Sequence, residues 1–573
     1  MEFIKLKKNL KKDFSGFKKI KLALLGDSAT QLMSIAVRGY GFNFQLDIEV
    51  FEADYNQIER QITFKSSEMY QSEPEYIFIV ESVQKLKKRF YKLTPSQRVF
   101  FAQNEIEKYK SYLNELSSNT QNVKVIISNF IEINDAVFGQ YSNKVESSFL
   151  YQIRKLNFGL MDLARSIKFL FICDVQNMAS LKGYEQSIDN RNYVDSDMTF
   201  SVDFLSDLSK GIVDIILAVS GSARKCLVLD LDNTTWGGII GDDGIENIQI
   251  GDLDQGKAFS ELQTWAKELK SRGILLAVCS KNDESVAKEP FENHPDMVLR
   301  LEDIAIFCAN WDSKVDNLIR IKDFLNVGYD SIVFIDDNPY ERGVVRRHLP
   351  NIIVPDMPED PSDYLPFLVG LNLFETANYT EEDSQRTLHF HQELKRESTQ
   401  ASFTDEREFL KSLDMKALIE PFSNFNIPRV TQLIQRSNQF NLRTIRYTED
   451  ELQRLAVSES YISWAVSVDD QFGSYGLISA IIGKIEEDSI FIDTWVMSCR
   501  VLKRGVESFA LNNIVEAAKL INKNTIRAEY IPTAKNGLVK DHYINMGFHE
   551  DVDGFWMLQV DEYKDRETYF TKL

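Results

Sequence analysis

Short apolar runs separated by polar turns and amphipathic stretches recur through more than half of the chain. "KIKLALLG" (19–26), "EYIFIV" (75–80) and "VKVIIS" (123–128) are nearly continuous apolar runs, and "FFAQNEIEKYKSYLNEL" (100–116) between the last two has helical spacing. Buried strands alternating with helices predict a parallel sheet covered on both faces. The pattern restarts at "CLVLDLD" (226–232) and continues through a helix over 256–272, "ILLAVCS" (274–280) and "SIVFIDD" (331–337). It stops where Pro355, Pro358, Pro361 and Pro366 fall close together, which marks a boundary. A charged helical stretch over about 375–412 follows. The next unit begins near "MKALIEPF" (415–422), and its runs "GLISAIIGKI" and "SIFIDTWVMS" read as antiparallel strands. The expected architecture is α/β with three domains: a parallel-sheet domain over 1–222, a second parallel-sheet domain over 223–356, a helical linker over 357–412, and a mixed-sheet domain over 413–573.

Composition changes this picture little, but it excludes some functions. At 573 residues the chain is too long for one hydrophobic core. Its 43% hydrophobic and 27% charged residues are ordinary for a globular protein. The net charge of −20 argues against a general nucleic-acid or membrane-surface binder, because those need basic faces. Five sparse cysteines (Cys173, Cys226, Cys279, Cys308, Cys499) form no metal-type pairs, which points to a reducing compartment, the cytoplasm. The N-terminus is basic without an apolar stretch behind it, so no signal peptide is expected, and no run approaches the length of a membrane span.

Candidate chemistry concentrates at the strand ends of the second unit. Asp230 and Asp232 end one apolar run and Thr234 follows; Ser280 ends the next; Lys314 sits in "NWDSKVDNL"; Asp336 and Asp337 end a third. In a parallel sheet the C-terminal strand ends share one edge, where ligands bind. Four carboxylates, a hydroxyl and an ammonium at one edge suit phosphoryl transfer through an aspartyl phosphate. One carboxylate attacks phosphorus, a second moves the leaving-group proton, and carboxylate oxygens hold a hard Mg²⁺. The hydroxyl and the lysine hold the remaining phosphate oxygens.

This set resembles the haloacid dehalogenase (HAD) superfamily over about 224–355. The resemblance implies Asp230 as nucleophile, Asp232 as acid/base, Ser280 and Lys314 as phosphate clamps, and Asp230, Asp232, Asp336 and Asp337 around Mg²⁺. "DNTTWGG" and "FIDDNPYER" narrow it to the FkbH-like branch, although Thr235 stands where that branch usually has a large aliphatic residue. The gap from Asp232 to Ser280 is mostly used by "WGGIIGDDG" and the helix 256–272, and the gap from Ser280 to Lys314 holds one helix and one strand, so neither has room for a separate cap domain. Such an open site suits a phosphate on a macromolecule or one covered by another domain of the chain.

In the third domain, "MSCRVLKRGVESFALNNIVEAA" (497–518) reads as strand, tight turn and helix. Arg500, Lys503, Arg504 and Gly505 resemble the pyrophosphate-seating turn of GNAT acyltransferases, with Lys503 in place of a glycine. "PTAKNGLVKDHYINMGF" (532–548) is similar to the GNAT ending, which implies Tyr543 as general acid. These residues would seat coenzyme A or the phosphopantetheine arm of a carrier protein. Together with "QRSNQFNLRTIRYTEDEL" (435–452), they extend the FkbH-like resemblance over roughly 224–573. Cys499, beside Arg500, Lys503 and Arg504 at a helix start, reads either as an acyl-carrying thiolate or as a packing residue. Cys226 and Cys279 read as core.

"LLGDSATQ" (24–31) in the first unit resembles the first block of SGNH hydrolases. Ser28 would be the nucleophile, but the first histidine of the chain is His294 and "VDSDMTFS" (194–201) has none. A serine nucleophile needs a base, so 1–222 reads as a hydrolase-like scaffold without hydrolase chemistry. The FkbH-like resemblance implies an enzyme that takes phosphate from a small phosphorylated acyl donor of the 1,3-bisphosphoglycerate type. It transfers the glyceryl group as a thioester to an acyl carrier protein. The alternatives are a HAD phosphatase fused to a coenzyme A-dependent N-acyltransferase, and a docking protein with decayed sites. The intact motif set argues against the last.

Overall fold

The computed structural model describes residues 2–573 except 121–122, 222–223, 378, 380–386, 389–391, 393–394, 397–398, 401–402, 404, 438, 499–500, 503, 534–535 and 552–553. The chain divides into two compact units, Met1–Ser384 and Gln385–Leu573.

The first unit holds two parallel sheets. Strands β1 (Lys18–Gly26), β2 (Leu46–Glu52), β3 (Tyr76–Val80), β4 (Lys124–Ser128) and β5 (Leu170–Cys173) form one sheet in the order β2-β1-β3-β4-β5. All four pairings are parallel. Every residue of β3 is buried, as a strand covered on both faces requires. Strands β6 (Cys226–Leu229), β7 (Leu275–Ser280), β8 (Ile304–Ala309) and β9 (Ile332–Ile335) form the second sheet, ordered β8-β7-β6-β9 and again wholly parallel. The helices Asp254–Ser271, Glu284–Asn293 and Lys314–Leu325 connect its strands, and no further domain is inserted between them. Cys173, Cys226, Cys279 and Cys308 are all free and buried.

The second unit carries an eight-stranded mixed sheet. Its strands are β10 (Met415–Glu420), β11 (Tyr461–Asp470), β12 (Gly473–Ile485), β13 (Ser489–Met497), β14 (Thr525–Ala528), β15 (His549–Glu550), β16 (Trp556–Gln559) and β17 (Phe570–Lys572). Their order is β15-β16-β14-β13-β12-β11-β10-β17. The β10/β17 and β13/β14 pairs are parallel and the rest antiparallel, as expected for β12 and β13. Among the described residues no helix is long and apolar enough to cross a membrane.

One boundary needs correction. The stretch 357–412, expected as a linker, is divided between the units. Met357, Tyr364, Leu368 and Phe374 belong to the core of the second sheet, and the Tyr364 hydroxyl donates to the carbonyl of Asn233 at 3.2 Å. Phe409 and Leu410 pack with Leu413 and Met415 in the second unit. The proline cluster misled because Pro361 opens the turn Pro361–Asp363, which leads straight into the helix Tyr364–Leu371 on the core.

If the helix Tyr364–Leu371 is part of this core, Leu368→Ala, at a side chain 1% exposed, should cost about 2–5 kcal/mol. Denaturant titration measures it; a cost near zero would restore the linker reading.

Candidate active site

The C-terminal edge of the second sheet gathers the charged residues. Asp230 follows β6, and its backbone N–H donates to Ile335 O of β9 at 3.0 Å. Adjacent parallel strands therefore deliver Asp230 and the Asp336–Asp337 pair to the same level. The Lys314 ammonium comes from the first turn of the helix Lys314–Leu325, capped by Ser313. It lies 2.8 Å from Asp230 Oδ2 and 2.6 Å from Asp336 Oδ2. Lys314 is only 4% exposed and Asp336 is fully buried.

The turn after β6 is built for this placement. Asn233 takes a left-handed backbone, and Gly238 sits at φ +91°, a conformation that glycine adopts without strain. A side chain at Gly237 would strike Gln249 and Phe259. Thr235 Oγ1 donates to the Asp230 carbonyl at 2.6 Å, so this departure from the usual aliphatic residue fixes the backbone of the proposed nucleophile. Thr234 Oγ1 accepts from the Asp337 backbone N–H at 3.0 Å and donates to Asp337 Oδ1 at 3.3 Å. Arg342 donates to the carbonyls of Asp336 (2.8 Å) and Asp337 (2.6 Å), and the Asn338 N–H donates to Asp336 Oδ1 at 2.8 Å.

Asp230, Asp336 and Asp337 each offer an oxygen within 4.8 Å of the others. Lys314 is the one ammonium paired with them among the described residues, so the cluster carries excess negative charge. Three hard oxygen donors with uncompensated charge fit a divalent cation such as Mg²⁺. The Asp232 carboxylate, expected among the ligands, is not in this group. Its Oδ1 accepts from Trp236 Nε1 and the Ile240 N–H, both at 3.0 Å, and its Oδ2 from Asn282 Nδ2 at 3.2 Å. That arrangement leaves Asp232 beside the cluster, held by its own donors. Ser280 ends β7 at the same edge and is buried.

Electrostatics follow from this crowding. Burial and the Asp230 carboxylate push the Asp336 carboxyl up to about 6. Burial and Asp230 likewise raise Asp337. Burial raises Asp232 against the hydrogen bonds from Ile240 and Trp236. Burial alone would lower the Lys314 pKa, but Asp230 and Asp336 hold it above its ordinary value.

The other expected residues are placed differently. Cys499, Arg500 and Lys503 lie outside the described residues. Gly505, at φ +82°, opens the helix Val506–Leu520. Arg504 is buried, with its guanidinium 5.1 Å from the Phe409 ring centre. Tyr543 is buried against Phe548 and Trp556, and its hydroxyl has no partner among the described residues. Burial raises its pKa. In the first unit the Ser28 hydroxyl lies 2.8 Å from Thr199 Oγ1, a hydroxyl where a nucleophile would need a base. Sequence reasoning missed Trp236, Asn282 and Arg342, which act through donors aimed at carboxylate or backbone oxygens. The Asn282 position, two residues after Ser280, was the only available hint.

Binding of a divalent cation should compete with the proton on Asp336. The folded pKa is raised, so raising pH through about 6 removes that proton and strengthens binding. The Mg²⁺-induced gain in thermal midpoint should therefore be larger at pH 7 than at pH 5, and Asp336→Asn should flatten the dependence. A gain equal at both pH values in the unmodified protein would contradict the assignment.

The profile "FkbH, N-terminal domain" matches residues 21–217, the region of the first sheet. The structure of the N-terminal part of the Bacteroides fragilis protein BF1531, containing a phosphatase domain complexed with Mg, is 46% identical. It covers 66% of this chain and 100% of its own, with a TM-score of 0.63. The Escherichia coli ribosomal-protein-S18-alanine N-acetyltransferase is 13% identical over 26% of this chain and 98% of its own, at a TM-score of 0.21. A Vibrio cholerae spermidine N-acetyltransferase, in complex with CoA and spermine, aligns over the same shares with the same identity and score. No curated protein matches the chain. With a phosphatase-domain relative aligned over its entire length at nearly half identity, and the family's N-terminal profile matched beside it, the chain belongs to the FkbH-like family.

Proposed function

We propose that the chain is a two-activity enzyme, a phosphatase joined to an acyl transferase, that loads a glyceryl-type group onto an acyl carrier protein. The observation that carries the phosphatase half is the buried Lys314 ammonium shared by Asp230 and Asp336 at an open sheet edge.

The Asp230 carboxylate attacks phosphorus, and the new O–P bond forms as the bond to the leaving oxygen breaks. Asp232, held in place by Trp236, Ile240 and Asn282, gives its proton to that oxygen. It then takes a proton from the water that attacks the aspartyl phosphate, which frees inorganic phosphate and restores Asp230. Lys314 and Ser280 hold the phosphate oxygens. Asp230, Asp336 and Asp337 would hold Mg²⁺, which supplies positive charge against the repulsion between carboxylate and phosphate when bound.

A bisphosphorylated acyl donor has two phosphates with different fates. A thiol displaces the acyl phosphate: the C–S bond forms as the C–O bond breaks, and phosphate leaves with the thiol proton. The phosphatase site removes the remaining ester phosphate. The thiol is Cys499 or the terminal thiol of the carrier's arm, and the third domain seats that arm.

The test is the intact mass of a holo carrier protein incubated with enzyme, Mg²⁺ and a system that generates 1,3-bisphosphoglycerate. The carrier should gain a glyceryl group. Asp230→Asn should slow ester-phosphate release roughly a thousandfold or more while the fold is kept. A carrier that gains no mass, or near-normal phosphate release by Asp230→Asn, would contradict the reading.

A further inference from the structure

A cavity of about 790 Å³ opens at the N-terminal edge of the first sheet, at the opposite ends of the strands from Ser28. Strand register makes the space. Tyr76, the first residue of β3, pairs with Leu22 of β1 and with Lys124, the first residue of β4. β1 begins at Lys18, four residues before Leu22, so it overhangs the starts of β3 and β4 by about 13 Å. The Tyr70 hydroxyl braces one wall. It donates to Ile62 O at 2.7 Å and accepts from Asn119 Nδ2 at 3.3 Å, at the end of the helix Phe101–Asn119.

The charges of this lining are unbalanced. Lys18, Lys65 and Lys124 all face the cavity, and among the described residues none of them has an ion pair. Carboxylates are not scarce, since the chain has 86 acidic against 66 basic side chains. The two in the lining, Glu73 and Glu75, are engaged by Lys21. Its ammonium lies 3.4 Å from Glu73 Oε2, and its backbone N–H donates to Glu75 Oε1 at 3.1 Å. Burial lowers the Lys124 pKa, and no carboxylate opposes that effect. A half-buried ammonium in such a place is stabilised by an anion beside it. Tyr76 is 5% exposed, and its hydroxyl has no hydrogen-bond partner among the described residues. An unpaired hydroxyl in a buried side chain is destabilising until an acceptor meets it.

The rest of the lining has the opposite need. Ser118, Thr120 and Ser220 give their hydroxyl protons to the carbonyls of Asn114 (2.8 Å), Leu116 (2.6 Å) and Leu217 (3.1 Å). Their oxygens are left to accept, which suits hydroxyl groups on a ligand. Three ammonium donors and a phenol donor suit phosphate oxygens, for which lysine serves as a point charge. The volume lies within the range of small-molecule sites, roughly 300–1,000 Å³. Lysines near a helix end also offset its carbonyls, but that role needs no cavity and leaves the Tyr76 hydroxyl unpaired. We propose that this cavity binds a phosphorylated sugar, either free or as part of a nucleotide. The site is separate from the phosphatase edge and does not rest on the reading of that edge.

The test reads each lysine by itself. The intact protein is reductively methylated with formaldehyde and cyanoborohydride in EDTA at constant ionic strength, and the modified lysines are mapped by peptide mass. The probes are ADP and fructose 1,6-bisphosphate, with citrate as the control anion. Lys18, Lys65 and Lys124 should lose labelling together in at least one probe, while the exposed Lys155 is labelled as before. Protection by ADP alone assigns a nucleotide, by the bisphosphate alone a free sugar phosphate, and by both the shared chemistry. In calorimetric titration of the protecting probe, Lys124→Gln should weaken binding roughly tenfold or more, and Tyr76→Phe should weaken it in the same direction. Both variants should release phosphate from a simple aryl phosphate with Mg²⁺ as the unmodified protein does, which shows that the fold is kept. No protection by either probe, or protection by citrate as strong as theirs, overturns the proposal. So does a Lys124→Gln variant that loses thermal stability but binds the probe unchanged, because the lysine would then serve only the helix end.

Discussion

The buried Lys314 ammonium is the interaction on which the rest of the central site depends. Placing one ammonium and two carboxylates out of water costs several kcal/mol per ion, and only close pairing offsets it. Contacts of 2.8 and 2.6 Å supply that pairing for Asp230 and Asp336. Asp337 remains less buried and is held by Thr234. The cluster is stable enough to form, yet it keeps negative charge to spare for a cation. Removing the lysine would leave three carboxylates crowded together, each raising the others' proton affinity.

Topology makes this arrangement inexpensive. The strand order β8-β7-β6-β9 puts β6 between β7 and β9, so Asp230 falls between Ser280 on one side and the Asp336–Asp337 pair on the other. Lys314 arrives from the helix that follows β8. Arg342 holds the Asp336 and Asp337 carbonyls from the helix after β9, the Asn338 N–H at the start of that helix holds the Asp336 carboxylate, and the helix Tyr364–Leu371 braces the turn at Asn233. The site is thus a property of the whole second sheet and of its flanking 357–374 segment. Asp232 is held by a different set of donors, which separates the carboxylate proposed to move the proton from those proposed to hold the cation.

Much of this was legible in the sequence because strand ends announce themselves. Apolar runs ending in Asp230, Ser280 and Asp336 marked both the strands and their common edge, and the restart of the pattern at Cys226 marked the second sheet. Short or half-exposed strands such as β2 and β5 carried no comparable signal. The 357–412 stretch misled because charge and proline suggest solvent, while Tyr364, Leu368 and Phe374 are too widely spaced to stand out as a core face. Trp236, Asn282 and Arg342 were invisible for another reason: a donor's target depends on tertiary placement. In the second unit the turn motif gave no sign that Arg504 would lie over the Phe409 ring, a contact that joins segments far apart in sequence.

The central claim is that phosphate passes through Asp230. Its most direct measurement is a rapid acid quench of the enzyme during turnover of a radiolabelled phosphate ester with Mg²⁺, followed by digestion and mapping of the labelled peptide. The account predicts an acid-stable, hydroxylamine-labile phosphoryl group on Asp230 that is absent without divalent cation. Label on another residue, or turnover of an aryl phosphate, whose leaving oxygen needs no proton, with no phosphoenzyme when breakdown is made slow by Asp232→Asn, would contradict it.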